Sequence, residues 1–178
     1  MSTSPIIVKY DSTWPQLFAA LAEALTPSLG RLAHQIHHVG STAIPGMAAK
    51  PILDIDIELA PDITVVEATA ALEPLGYEYE GDLGIPGRYA YRRVSCAVPF
   101  SIQGRDWPPH HLYVCPFGSR ELDRHLRFRD RLRNSDEYRQ EYMEIKQQAI
   151  ERAAGIRQVY VDEKPRLGTD FFRKVLGE

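Results

Sequence analysis

The chain has 178 residues, 44% of them hydrophobic, which is enough for one soluble domain with a sizeable core. Its 21 Lys plus Arg against 24 Asp plus Glu leave a formal charge of −3, which argues against broad nucleic-acid binding through a positive field while allowing a local basic pocket. No stretch reaches the roughly 20 apolar residues of a membrane span, and the opening MSTSPIIVKYD has neither a basic n-region nor an apolar h-region, so a single cytoplasmic domain over 1–178 is expected.

Ile6, Val8 and Tyr10 alternate as in a short strand, and Asp11-Ser12-Thr13 offers caps for a helix that starts at Trp14-Pro15 and runs to about Leu29. Residues 35–39 read as a strand ending at Gly40. The segment up to Pro51, punctuated by Gly40, Pro45, Gly46 and Pro51, reads as a shaped loop with room for one helical turn. Residues 51–59 form the clearest strand, Asp62 is placed to cap a helix to about Glu73, and 76–79 form another strand. Strands are then expected over 88–94, 96–103 and 111–115, with a turn at Trp107-Pro108-Pro109. From Ser119 the pattern is helical: 119–133, then a helix capped by Ser135 to about Ala154, then a last helix from near Pro165. The class is α+β, strand-rich first and helical last. Cys96 and Cys115 lack zinc-like or CxxC spacing and read as buried free thiols.

The chemistry concentrates on the strand Ile52-Leu53-Asp54-Ile55-Asp56-Ile57-Glu58-Leu59. Period-2 geometry sends the apolar residues to one face and Asp54, Asp56 and Glu58 to the other, where neighbours lie roughly 7 Å apart and can share a hard cation. Ser41 precedes Asp54 with twelve residues between them. Gly40 permits close approach of backbone N–H groups to a phosphate, Ser41 and Thr42 add hydroxyls, and Lys50 adds charge. Together they describe a phosphate cradle facing a metal-binding strand.

Gly-Ser followed at short range by Asp-x-Asp resembles the signature of the nucleotidyltransferase superfamily typified by DNA polymerase β. The run His38-Val-Gly-Ser-Thr-Ala-Ile-Pro-Gly-Met-Ala-Ala-Lys-Pro-Ile-Leu-Asp-Ile resembles the hallmark of the GrpB family of small predicted nucleotidyltransferases, sometimes fused to dephospho-CoA kinase. Further matches are Leu75-Gly76-Tyr77, His111-Leu-Tyr-Val, Phe128-Arg-Asp-Arg-Leu-Arg133, 142–146 and 160–164, so the resemblance covers nearly the whole chain. It implies a nucleotidyltransferase fold, a mixed sheet flanked by helices with a helical C-terminal part. Gly40 and Ser41 would hold the phosphates of a nucleoside triphosphate, and Asp54 and Asp56 would hold Mg²⁺ or Mn²⁺. It also implies association with a metabolic enzyme. Two departures stand out: the family's His-x-His strand reads His111-x-Tyr113 here, and the superfamily's third carboxylate is not evident.

Other residues weigh in beside these. His111 and Tyr113 share a strand face, and if their strand neighbours that of the aspartates either can point toward the carboxylates, with His111 able to act as a metal ligand or base. Arg88 and Arg92 share a face and can clamp an acidic acceptor or a triphosphate. On the helix over 119–133, Arg120, Arg124, Arg127 and Arg131 form a solvated set, whereas Arg129 and Arg133 fall on the inner arc with Leu122, His125, Leu126 and Leu132 and need an anionic partner: an aspartate, a phosphate or a structural carboxylate. Lys146 sits at the edge of an apolar face set by Tyr138, Tyr142, Ile145 and Ala149, where it either snorkels or meets a phosphate. His34, His37 and His125 read as structural, and His38 as an anchor for the loop. The expected function is Mg²⁺-dependent transfer of a nucleoside monophosphate from a triphosphate to a small-molecule acceptor. A noncatalytic nucleotide- or metabolite-binding module and a nucleotide-dependent ligase are the alternatives.

Overall fold

Alternation along the second strand sets the layers of the molecule. The computed structural model describes residues 6–101 and 104–178. Helix α1 (Trp14–Leu29) has Pro15 in its first turn, and Asp11 Oδ1 accepts the Thr13 N–H at 2.8 Å just ahead of it. Strand β1 (Ala33–Val39) ends at Gly40, and the loop after it holds the single helical turn anticipated, a 3₁₀ turn at Ser41–Ala43. Strand β2 (Leu53–Leu59) follows, then α2 (Val65–Leu72), β3 (Tyr77–Gly81), β4 (Tyr89–Arg93) and β5 (His110–Cys115). The sheet order is β1-β2-β5-β4-β3; β2 and β5 are parallel and the other neighbours antiparallel.

Leu53, Ile55, Ile57 and Leu59 turn one face of β2 toward α1 and α2, packing with Leu21, Leu25, Leu29, Ala68 and Leu72. Each of the four is almost completely buried, which stabilises the sheet by roughly 1.5–3 kcal/mol per side chain. The opposite face of β2 meets the helical C-terminal region: α3 (Arg120–Arg133), α4 (Asp136–Ala153), α5 (Arg157–Leu167) and α6 (Thr169–Leu176). Those helices carry a second core in which Leu132, Tyr142, Ile145, Phe171 and Val175 enclose Ile44 and Met47. The loop between β1 and β2 is thereby anchored by the end of the chain.

Several elements depart from expectation. Thr64, not Asp62, caps α2: its hydroxyl accepts the Glu67 N–H at 3.3 Å while the Glu67 carboxylate accepts the Thr64 N–H at 2.9 Å, a reciprocal box that out-competes a lone upstream aspartate. Ile6, Val8 and Tyr10 contribute only an isolated Val8–Ala49 bridge. The strand expected over 96–103 does not form in its described part, because Phe100 N–H goes to Leu75 O and the Trp107 N–H goes to Cys96 O, outside any ladder. Ile102 and Gln103 lie outside the described residues. The helix expected to begin near Pro165 begins earlier, since Tyr160 packs against Ala149 and Ala153 of α4 and draws residues 157–167 into a helix that holds Pro165 near its end. Arg127 and Arg131 are not simply solvated; they donate to the Leu176 and Val175 carbonyls at the end of α6, where cations complement the unpaired C=O groups. Cys115 is buried, but Cys96 is exposed, and both are free.

Candidate functional site

The parallel register of β2 and β5 sets Asp54 opposite His111 and Asp56 opposite Tyr113. His111 Nδ1 lies 3.1 Å from Asp54 Oδ1, so the neighbour relation that the sequence left open is made. Asp56 has no exposed surface; its Oδ2 lies 2.7 Å from His125 Nδ1 of α3, and its Oδ1 is buried with no hydrogen-bond partner among the described residues. Burial alone would pull the His125 imidazole down, but its hydrogen bonds and charge interactions with Asp56 and Glu121 outweigh this and push its pKa up to about 9. Near neutral pH a cationic imidazolium therefore balances Asp56. Glu58, the third acid on this face, turns to His37 at 3.0 Å.

The Gly40 loop presses onto Asp54. Gly40 has φ 69° and ψ −171°, a backbone region essentially reserved for glycine, and a Cβ added there would lie 2.2 Å from Asp54 Oδ2. His38 anchors the loop as expected: its Nε2 lies 3.0 Å from Thr42 Oγ1 and its ring stacks on Phe18. Burial pulls the His38 pKa down to about 4, which keeps the ring neutral. Thr42 is buried by this contact.

Arg129 and Arg133 brace the same loop from α3, donating to His38 O at 3.1 Å and Ala43 O at 2.8 Å. Asp130 supplies their carboxylate, so backbone carbonyls and a structural acid meet the need for partners on the inner arc. Lys146 does not snorkel. It is 1% exposed and donates from Nζ to Ser41 Oγ at 2.8 Å and Ala48 O at 2.6 Å. Burial, then repulsion from Lys164, lowers its pKa to about 7.

A cleft of about 570 Å³ opens beside Ser41, with Thr42, Lys50, Asp54, Arg88, His111 and Lys146 in its walls. A second, of about 400 Å³, lies toward α3 and shares Asp54, Arg88 and Tyr113 with the first while adding Gly40, Glu121 and His125. Arg88 stacks 4.4 Å over the Tyr113 ring with its Nε buried and unpartnered among the described residues. Arg92 was expected to share a clamp with Arg88, but it pairs with Glu78 and Glu80 of β3 and lines neither cleft. Among the described residues, no three His, Cys, Asp or Glu side chains converge as a metal-holding group.

The GrpB protein family model matches residues 4–177, almost the whole chain. The chain belongs to the GrpB family. Among relatives, a UPF0157 protein of Pseudomonas aeruginosa is 37% identical over 89% of this GrpB-family chain. The match spans 62% of that relative's own length. A dephospho-CoA kinase of Mycolicibacterium paratuberculosis is 26% identical over 94% of the chain and 45% of the kinase. The crystal structure of GrpB from Enterococcus faecalis superposes with a TM-score of 0.74 at 27% identity, covering 96% of this chain and 94% of that one.

Two residues of the site escaped sequence reading. His125 was set aside as structural although it shares the inner arc of α3 with Arg129 and Arg133, which was the available signal. Lys164, within reach of Asp54 across both clefts, comes from a helix whose start was misplaced.

Proposed function

We propose that this GrpB-family chain has a nucleotidyltransferase fold, as one domain, and moves a nucleoside monophosphate from a nucleoside triphosphate to a small acceptor with Mg²⁺ or Mn²⁺. The observation that carries the reading is the contact of Gly40 with Asp54, because the loop expected to cradle phosphate lies so close to the first of the two aspartates that only glycine fits. Two aspartates with one buried oxygen that is unpartnered among the described residues fit the habit of Mg²⁺, which takes one or two carboxylates and completes its shell with phosphate oxygens and water. Asp54 and Asp56 would hold the metal. When bound it lowers the pKa of the acceptor hydroxyl and neutralises the pyrophosphate that leaves.

Residues of the chain account for the other roles. Lys146 donates to Ser41 Oγ and so leaves the Ser41 O–H to donate to a phosphate oxygen. With its Nδ1 proton on Asp54, His111 presents Nε2 as an acceptor and can take the proton of the attacking hydroxyl. The acceptor oxygen then bonds the α-phosphorus as the bond to pyrophosphate breaks. Lys50 and Arg88 supply charge along the cleft, while Arg129 and Arg133 act by fixing the loop. The similarity to a dephospho-CoA kinase supports a role beside a metabolic enzyme. Among the described residues no helix is long and apolar enough to cross a membrane.

Asp54→Asn together with Asp56→Asn should abolish metal-dependent pyrophosphate release from ATP, CTP, GTP or UTP while the circular dichroism stays native. Undiminished release by the double variant would remove the assignment. The second reading is a nucleotide-binding module without turnover, favoured by one observation: β5 offers His111 and Tyr113 beside Asp54 and Asp56 where a third carboxylate would stand. Calorimetric nucleotide binding with no pyrophosphate release across a broad acceptor panel would establish it.

A further inference from the structure

Four cationic side chains converge on the cleft beside Ser41 from four parts of the chain: Lys50 before β2, Arg88 before β4, Lys146 of α4 and Lys164 of α5. Asp54 is the one carboxylate among the described residues that line it. None of the four cations joins an ion pair among the described residues. Burial and then Lys164 depress the Lys50 pKa, and burial, Lys164 and Lys50 all act on Lys146, so the lysines feel one another. The Tyr142 oxygen holds Lys164 in its charged form. Like charges gathered in a half-buried cleft raise the energy of the empty protein, and a bound polyanion relieves that cost.

We propose that Lys164, with Lys50, Lys146 and Arg88, forms a subsite for a linear polyphosphate, so that the C-terminal helices complete a site whose carboxylates lie on the sheet. What the phosphates are attached to rests on the nucleotide reading above. The number of cations selects the ligand class, since one carboxylate or orthophosphate would leave most of this charge uncompensated, whereas three linked phosphates can meet all four groups. An overall charge of −3 confines the attraction to the cleft rather than to an extended nucleic-acid track.

The test is calorimetric titration of the full chain with inorganic tripolyphosphate in EDTA at low salt, without nucleotide. One-site binding is expected, with orthophosphate at least tenfold weaker. Lys164→Gln should weaken tripolyphosphate at least tenfold at an unchanged melting temperature, and Lys164→Arg should recover most of the loss. Asp54→Asn with Asp56→Asn should bind tripolyphosphate at least as tightly as the wild type, because negative charge is removed. No binding by the wild type, equal affinity for orthophosphate, or an unaffected Lys164→Gln would overturn the subsite. Metal-dependent transfer that persists with an indifferent Lys164→Gln would sink the subsite and leave the transferase reading standing. Lys164-dependent binding with no transfer to any acceptor would do the reverse.

Discussion

The two faces of β2 are built from alternate residues of one seven-residue strand and obey different physics. On one, Leu53, Ile55, Ile57 and Leu59 need only be apolar and of suitable volume to pack under α1 and α2. On the other, Asp54, Asp56 and Glu58 each carry a histidine partner drawn from a different element: β5, α3 and β1. The difference teaches that an apolar face is specified by its own strand, whereas a charged face is specified by what the rest of the chain brings to it.

The sharpest break in this contrast is His125→Ala. It leaves the fully buried Asp56 carboxylate without its cation, and removing one partner of a buried pair costs about 3–5 kcal/mol. Urea denaturation should register that loss, and added Mg²⁺ should restore part of it if the carboxylates take the ion; indifference to Mg²⁺ would argue against metal there. On the apolar face, Ile55→Ala should cost about 2–5 kcal/mol through lost burial and a cavity, with no response to Mg²⁺. A Mg²⁺-sensitive Ile55→Ala would blur the distinction between the faces.

Gly40→Ala should be milder in stability, about 1–3 kcal/mol from the backbone strain, yet it should push the Asp54 carboxylate aside and lower nucleotide affinity along with it. An alanine variant with wild-type affinity would show that the close approach is incidental. The last effect concerns pH. His110, buried against Tyr77 with its ring 2.7 Å from the phenol oxygen, is lowered by burial from the usual 6.5 to about 4. The unfolded chain therefore binds a proton first, and stability that is full above pH 6.5 declines as the pH falls through 6.5 toward 4. His110→Gln should make that part of the stability–pH curve shallower, with the buried His38 supplying the rest of the slope, as read by denaturant midpoints.

Much of the fold was legible because local periodicity carried it. The alternation of 52–59, Pro15 in the first turn of α1, the helix start at Ser119, the Ser135 cap and the inner arcs of α3 and α4 all reappear in place. The misread segments are those whose hydrogen bonds are non-local. Residues 96–101 carry strand-forming side chains yet spend backbone groups on Leu75 and Trp107, and residues 157–164 become helical where Tyr160 finds the small residues of α4. In the site, shared strand faces made a meeting of Asp54 and His111 conditional on β2 and β5 being neighbours, which the sheet order supplies, while the separation of Arg88 from Arg92 had no local signal. Arg92 was claimed by Glu78 across an antiparallel pair whose register no local pattern reveals.

By itself, the sequence determined the α+β class and the aspartates sharing one face of β2, since period-2 geometry acts over a few residues. Only the tertiary structure decided which histidine partners each acid, that Lys146 is buried against Ser41, that Gly40 meets Asp54, and that Lys164 reaches the cleft. Those outcomes depend on residues separated along the chain, such as Ser41 and Lys146, meeting in a poorly solvated space where an unpaired charge is too costly to leave unanswered.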